Sequence, residues 1–428
     1  MKFTVVTYGT EGDTRPLAAL CRALIDAGHD ASLLADRATL HAAHALRVPC
    51  APLSGDIKQA LDPNEALGSI VGKRSGAQAT ARALASIADA HTGAWMREVK
   101  AAAGDSDAII LSALASFVGL SVAECLRIPA IGASMIPITP TRAFASPFLP
   151  PTIVPGFLNR ASHNFVNAAI WRAFRRATNA ARVDVCALAP RKRVWTDHPI
   201  VYGVSRALLP RPADWPEQAL VCGQWAAPEA PADWAPPEAL ARFLAGGEPP
   251  IYVGFGSMAG FDRRHVLKSL IEAIGGRRAV FYAGWSGIDT SELPANFCVV
   301  GDTPHAWLFP RMSLVIHHGG AGTTHSATRA GAPSVVVPFA GDQLFWAHRL
   351  NRLGAAAKPV DGKSLDAGAL ARAIDFASEP TTRSRAAELG AAMRAEDGLR
   401  SAVAAIERWT AAGRELRSVG ICPVNAGG

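Results

Sequence analysis

Short apolar runs alternate with helical patterns along this chain, stop at a proline-rich break, and then start again. That double series constrains the fold more than any other feature. In the first series residues 3–8, 31–35, 107–112 and 130–134 read as strands, and residues 14–27 carry Leu17, Leu20, Leu24 and Ile25 at helical spacing before Gly28. In the second, residues 251–255, 279–283, 313–317 and 334–338 each precede a helical pattern. Strands alternating with helices build a parallel sheet covered on both faces, because every parallel crossover needs a helix. The break, residues 210–250, is rich in Pro, Trp and Ala and reads as a linker. The expectation is an α/β protein of two doubly wound domains facing each other across a cleft. They would occupy residues 1–210 and 251–400, with linker and the start of the second domain at 211–250. A C-terminal helix and tail at 401–428 would pack back on the first domain. A length of 428 residues suits two domains of roughly 200 residues each.

Hydrophobic residues make up 49% of the chain and charged ones 18%, enough for two cores and too apolar for global disorder. No apolar run is long enough to span a membrane, and the opening Met1–Val6 reads as a strand rather than a signal peptide, so a cytoplasmic protein is expected. The net charge of +7 comes without a basic stripe interleaved with aromatics, which argues against nucleic acid as a partner. The seven cysteines are scattered, odd in number and without a CxxC, and read as reduced structural thiols.

The most informative segment is residues 315–324, Val-Ile-His-His-Gly-Gly-Ala-Gly-Thr-Thr. An apolar strand enters a glycine-rich turn that opens a helix stopped by Gly331. Glycines let the backbone approach a ligand, the N–H groups at the helix start point at it, and the helix dipole favours negative charge. Thr323 and Thr324 add hydroxyl donors and His318 a charge-assisted one. A capped strand-to-helix turn with no ligand is the bland alternative. The spacing fits neither the GxGxxG fingerprint after a first strand nor a P-loop, which needs GK[ST].

Residues 317–324, with Arg329-Ala-Gly-Ala-Pro-Ser-Val-Val-Val-Pro-Phe-Ala-Gly-Asp342-Gln343 behind them, resemble the donor signature of inverting nucleotide-sugar glycosyltransferases. The subgroup they resemble most holds sterol glucosyltransferases and antibiotic-aglycone glycosyltransferases. The resemblance extends to Tyr252–Met258, Gly284–Ser286, Gly301–Pro310 and the N-terminal Gly9–Pro16, so it touches both halves. It implies the GT-B fold, two facing Rossmann-like domains, and these roles. His318, Gly320, Gly322 and Thr323 would hold the diphosphate, with Ser257 near the phosphates. Trp285, or the backbone around Thr303, would pack on the base, and His305 belongs to the same donor side. Asp342 and Gln343 would hydrogen-bond sugar hydroxyls, which suits a carboxylate and an amide; their bland alternative is a helix cap beside an exposed glutamine. Plant relatives carry Glu eight residues after the diphosphate histidine, where this chain has Ser326, so UDP against dTDP stays open. Glucose is favoured as the sugar. The nucleotide sugar is a co-substrate and no cofactor is implied.

Asp13 falls in the first strand-to-helix turn, facing the same cleft from the other domain. An attacking alcohol must lose its proton, and a carboxylate within reach can take it; the alternative is a cap for a helix beginning near Thr14. Relatives often carry Arg where this chain has Glu11, and the extra acid is expected to raise the pKa of Asp13 by like-charge repulsion. Direct displacement would invert the anomeric centre with no covalent nucleophile. No metal-ligand spacing is present; His41 and His44 read as a surface pair.

Acceptor choice is expected in the proline-broken apolar stretch from Met135 and Ile136 through Phe144 and Phe148 to Leu158, which can be neither a regular helix nor a central strand. Core packing under a loop is the alternative. Residues 165–176 bring Trp171, Phe174 and three arginines together, either a basic amphipathic helix touching a membrane surface or a solvated face. The expected partners are thus a nucleotide sugar and a hydrophobic acceptor such as a sterol, polyketide or lipid. Oligomeric state stays open. Rival readings are a sugar-nucleotide epimerase on the same fold and a non-catalytic nucleotide-sugar-binding protein.

Overall fold

The computed structural model describes residues 1–57, 77–226, 234–256, 262–284 and 288–418. Ser257 and Trp285, both expected on the donor side, lie outside these residues.

Twelve strands among the described residues form two all-parallel sheets. The first has the order β3-β2-β1-β4-β5-β6-β7, with β1 Lys2–Tyr8, β2 Asp30–Asp36, β3 Cys50–Leu53, β4 Ala108–Ala113, β5 Ala130–Ser134, β6 Ile200–Tyr202 and β7 Ala219–Val221. The second has the order β10-β9-β8-β11-β12, with β8 Ile251–Gly254, β9 Ala279–Tyr282, β10 Phe297–Val300, β11 Leu314–His317 and β12 Ser334–Val336. The expected two doubly wound domains are what forms. The apolar runs sit where burial on both faces demands them: β1 is buried from Phe3 to Tyr8 and β11 throughout.

The first domain extends past the expected boundary at residue 210. β7 lies in the stretch read as linker, and it pairs with β6 from Ile200↔Ala219 to Tyr202↔Val221. Prolines flank β7 rather than interrupt it, so the Pro/Trp composition that suggests a linker surrounds an edge strand. Trp215 stacks on Tyr202, centroids 4.9 Å apart, and so helps seat that edge.

Six covering helices position the site or pack the domains together: α1 (Glu11–Asp26), α2 (Ala77–Ala102), α3 (Asn159–Cys186), α4 (Ala321–Arg329), α5 (Gln343–Arg352) and α6 (Gly398–Ser418). The stretch of residues 380–418, rich in Ala, forms two helices, Pro380–Arg394 and α6. It breaks at Gly398, where an added Cβ would lie 2.4 Å from the Gly223 carbonyl carbon, and where Glu396 Oε1 accepts from the Arg206 N–H at 2.9 Å. Beyond the break α6 lies on the first domain. Ala402, Val403, Ala405 and Ile406 join its core, and Glu407 pairs with His29 at 2.7 Å. The domains also share a hydrophobic cluster in which Phe345 and Trp346 of α5 pack with Ile200, Tyr202, Leu209 and Trp215.

Each sheet reverses its strand order once on either side of its first strand, between β1 and β4 and between β8 and β11. Loops leaving the carboxyl ends of the strands diverge there and open a crevice, where ligands of open α/β sheets bind. The turns after β1 and β11, which carry Asp13 and His318, are at these two positions.

Candidate active site

α1 begins at Glu11, three residues before the expected start. Thr10 is its N-cap and Asp13 its third residue, so Asp13 is not the cap itself. Its side chain still folds back: Oδ2 accepts from the Thr10 N–H at 2.9 Å. Gly9 makes this possible, because a Cβ there would lie 2.2 Å from Asp13 Oδ2. Burial pushes the Asp13 pKa up to about 6; the Thr10 N–H pulls it down, and the charge of Asp342, from the other domain, raises it further.

The acid that acts on Asp13 is therefore Asp342 and not Glu11. Glu11 is turned away and paired, with Arg15 at 2.7 Å and with His41 at 3.4 Å. Arg15 in turn reaches Asp302 of the second domain at 3.0 Å, an ion pair across the cleft mouth. Nothing in the sequence signals this pair, whose members are 287 residues apart.

On the facing side, β11 ends at His317 and the chain turns through Gly319 at φ +91°, a conformation suited to glycine. A side chain at Gly319 would also strike Val336 Cγ1 at 2.7 Å. The Gly319 N–H donates to His317 Nδ1 at 3.1 Å, so His317 shapes the turn from beneath and carries its proton on Nε2. A Cβ at Gly320 would lie 2.4 Å from His318 Nε2, whereas one at Gly322 would meet nothing within 4 Å. Gly320 thus makes room for the imidazole and Gly322 leaves open space above the helix start. The N–H groups of Ala321, Gly322 and Thr323, in the first turn of α4, have no intrahelical acceptor.

Burial lowers the His318 pKa to about 4 and, with the neighbouring His318 and His305, that of His317 to about 3. The charge expected on His318 is corrected accordingly: in the free protein at neutral pH it is a neutral imidazole. His305 stacks on Phe309 at 4.1 Å and is likewise lowered to about 4, chiefly by burial. Thr303 is buried, its hydroxyl bonded to the Gly301 carbonyl at 3.1 Å.

Asp342 occupies the N-cap position of α5 but caps nothing with its side chain. Instead Oδ2 accepts from the indole N–H of Trp346, one helical turn on, at 2.8 Å. Burial pushes its pKa up to about 6, and the indole bond lowers it. Trp346 is fully buried, with the edge of His325 against it at 5.0 Å; His325 accepts from the Ser205 N–H of the first domain at 3.2 Å. The signal for Trp346 was its i,i+4 spacing from Asp342. Gln343 is buried, not exposed, and its Oε1 accepts from the N–H groups of Phe339 (2.7 Å) and Ala340 (3.0 Å). It braces the loop ahead of Asp342.

The four expected acceptor residues separate. Met135 is in the core, where a Cβ at Gly203 would strike its Cε at 2.6 Å. Ile136 is tied by its own N–H and carbonyl to Ser134 Oγ, at 3.0 and 2.9 Å. Phe144 packs on Phe345 of α5 at 5.3 Å, next to Asp342–Gln343, and so bridges the domains at the cleft. Phe148 is exposed.

Comparison with known proteins fits this arrangement. Residues 280–406 match the family described as "Erythromycin biosynthesis protein CIII-like, C-terminal domain". Over 95% of its length the chain is 31% identical to a sterol 3-beta-glucosyltransferase of Emericella nidulans, of which it covers only 30%. Over 95% it is also 30% identical to a sterol 3-beta-glucosyltransferase of Arabidopsis thaliana, of which it covers 68%. Among solved structures, the glycosyltransferase of kitacinnamycin superposes with a TM-score of 0.69 at 20% identity, covering 95% of this chain and 98% of the other. The glycosyltransferase VinC, in complex with dTDP, gives 0.66 at 18% identity over 96% and 100%. These structural likenesses establish the GT-B fold. The chain belongs to the glycosyltransferase family that includes the sterol 3-beta-glucosyltransferases.

Proposed function

We propose that this protein transfers a hexosyl group, glucose in preference, from a UDP- or dTDP-sugar to a hydroxyl of a hydrophobic small molecule, with inversion and with Asp13 as general base. One observation carries the reading: Asp13, held at the end of β1, feels the charge of Asp342 at the start of α5, so the two carboxylates face one cleft from opposite domains. The acceptor oxygen attacks the anomeric carbon and its proton passes to Asp13. The bond from that carbon to the diphosphate oxygen breaks, and its electron pair leaves with the nucleoside diphosphate. The N–H groups opening α4 and the imidazole of His318 meet the developing charge, as preorganised donors do in an oxyanion hole. A base with a pKa near 6 is ionised at neutral pH yet more basic than an exposed carboxylate. Asp342, oriented by Trp346, is placed to accept from sugar hydroxyls.

Relatives named sterol 3-beta-glucosyltransferases support a glucosyl donor and a sterol-like acceptor, and a structural neighbour crystallised with dTDP keeps that nucleotide in view. The test is to incubate wild type and Asp13→Asn with UDP- and dTDP-sugars and a panel of hydrophobic alcohols including a sterol, following nucleotide release and product mass. Wild type should form a glycoside, and the variant should lose at least about a hundredfold in rate. Full activity in Asp13→Asn would remove Asp13 from the mechanism.

A further inference from the structure

Between residues 142 and 183 the chain holds six arginines and no Asp or Glu. Six of the eight exposed large hydrophobic side chains among the described residues also come from this stretch: Phe148, Ile153, Phe157, Leu158, Phe165 and Val183. Phe157 is 86% exposed, Ile153 67% and Phe165 66%. Their concentration in one segment is not the scattered exposure usual on a monomer's surface.

Helical spacing sets the arrangement. On α3 the buried positions Ser162, His163, Val166, Trp171, Phe174 and Thr178 face the protein. The exposed positions Phe165, Ala168, Ala169, Arg172, Arg175 and Arg176 form the opposite strip, with Phe165 toward the helix start and the arginines beyond it. Arg176 pairs with Asp89 of α2, and Asp214 lies within the field of Arg160. Arg142, Arg172 and Arg175 have no ion pair among the described residues and keep their charge toward solvent.

This face is bolted to the loop of residues 136–148. Asn159 donates to the Arg142 carbonyl at 2.9 Å, Ser162 Oγ accepts from the Ser146 N–H at 2.9 Å, His163 Nε2 meets the Phe144 carbonyl at 3.1 Å, and Asn167 donates to the Ile138 carbonyl at 3.3 Å. The loop in turn reaches α5 through Phe144 and Phe345.

We propose that the face formed by residues 148–165 and the outer strip of α3 docks on an anionic lipid bilayer, Phe157, Ile153 and Phe165 entering the interface and Arg142, Arg172 and Arg175 meeting the headgroups. Exposed aromatic and aliphatic side chains gain by leaving water, and guanidinium groups gain from the negative surface potential. Arg142, Arg172 and Arg175, without an ion pair among the described residues, leave the face net positive and so match that surface in charge, whereas a protein partner of mixed charge would be met by mixed charge. A bilayer seated there would lie beside the loop that carries Phe144 and would deliver an apolar acceptor toward the cleft. That last clause alone rests on the transfer reading above.

The experiment is co-sedimentation of the full chain with vesicles of phosphatidylcholine, with and without phosphatidylglycerol, in the absence of any donor or acceptor. Wild type should partition to the anionic vesicles and more weakly, by at least about tenfold, to the zwitterionic ones. Phe157→Ser/Phe165→Ser and Arg172→Gln/Arg175→Gln should each lose about tenfold or more, and high salt should weaken wild-type partitioning. Melting temperature and nucleotide affinity, unchanged in both variants, show that the fold and cleft are intact. No partitioning of wild type, or partitioning indifferent to both variants, overturns the proposal. So does a dimer in gel filtration that the Phe157→Ser/Phe165→Ser variant dissolves, since a second copy would then cover the face. Partitioning without turnover on any acceptor upholds the docking and sinks only the transfer reading.

Discussion

The acidic limb of the rate profile is the sharpest test of the cleft. Asp13 has its pKa pushed to about 6 from an ordinary 3.8. A carboxylate at 3.8 would be ionised in more than about nine molecules in ten at pH 5, and one at 6 in only about one in ten. kcat/KM for glycosyl transfer should therefore hold level above pH 7 and fall to about a tenth of its plateau by pH 5. Asp342 titrates in the same range, so the loss of its charge as well takes the fall by pH 5 beyond that tenth, toward about a hundredth, and makes the limb steeper than one proton gives. His305, His317 and His318 are held at about 4, 3 and 4 and cannot produce a limb near 6. Replacing Asp342 by Asn removes the like charge facing Asp13. On the proposed reading the plateau drops with the loss of an acceptor for sugar hydroxyls, and the limb moves to lower pH and flattens to one proton. Glu11→Gln should leave the limb where it is, because Glu11 is held by Arg15 and His41. Profiles from pH 4.5 to 8.5 for the three proteins, at saturating donor, decide it. A wild-type plateau that persists to pH 5, or an Asp342→Asn limb at the wild-type position, would refute the coupling.

Gly9→Ala places a Cβ 2.2 Å from Asp13 Oδ2; kcat should fall by about tenfold to a hundredfold while nucleotide affinity measured by calorimetry stays near wild type. Gly320→Ala does the reverse, because its Cβ would lie 2.4 Å from His318 Nε2: nucleotide diphosphate affinity should weaken by about tenfold or more, and far-ultraviolet circular dichroism should be unchanged. Asp13→Asn should stabilise the fold. The folded pKa lies above the unfolded one, so the ionised form costs stability once pH passes 6, and that cost fades as pH falls toward 3.8. The shift corresponds to about 3 kcal/mol at most, reduced toward about 1 by the partial exposure of the residue; thermal melts at pH 7.5 should show the gain and melts near pH 4 should not. A variant no more stable than wild type at pH 7.5 would contradict the burial argument.

The stability expected of Asp13→Asn has a general reason. Burial raises the proton affinity of both carboxylates and the charge of Asp342 adds to that of Asp13, a cost the fold bears at the cleft. Trp346 and Thr10 limit it, each giving one carboxylate a hydrogen-bond donor.

Much of this protein was legible in the order of its residues because the relevant physics is local. Apolar runs of four to seven residues between helical patterns admit little besides parallel sheets, and both sheets formed. His317–Thr324 is a strand end, a left-handed glycine and a helix start in eight consecutive residues, so its geometry follows from the chain itself. Gly9 and Asp13 lie in one turn for the same reason, although only coordinates reveal that the glycine's missing side chain is what seats the carboxylate. Short edge strands carried too few apolar residues to announce themselves, and β7 hid inside a proline-rich stretch. The rest was decided by tertiary structure, because it depends on which residues meet after folding. Charge repulsion falls off with distance through space and not along the chain. Hence Glu11, two positions from Asp13, is neutralised by its own helix, while Asp342, more than three hundred positions away, adds to what burial does to the acidity of Asp13. The same holds for Arg15 with Asp302, for Trp346 steadied by His325, and for the apolar loop that turns Met135 into the core and Phe157 out to solvent.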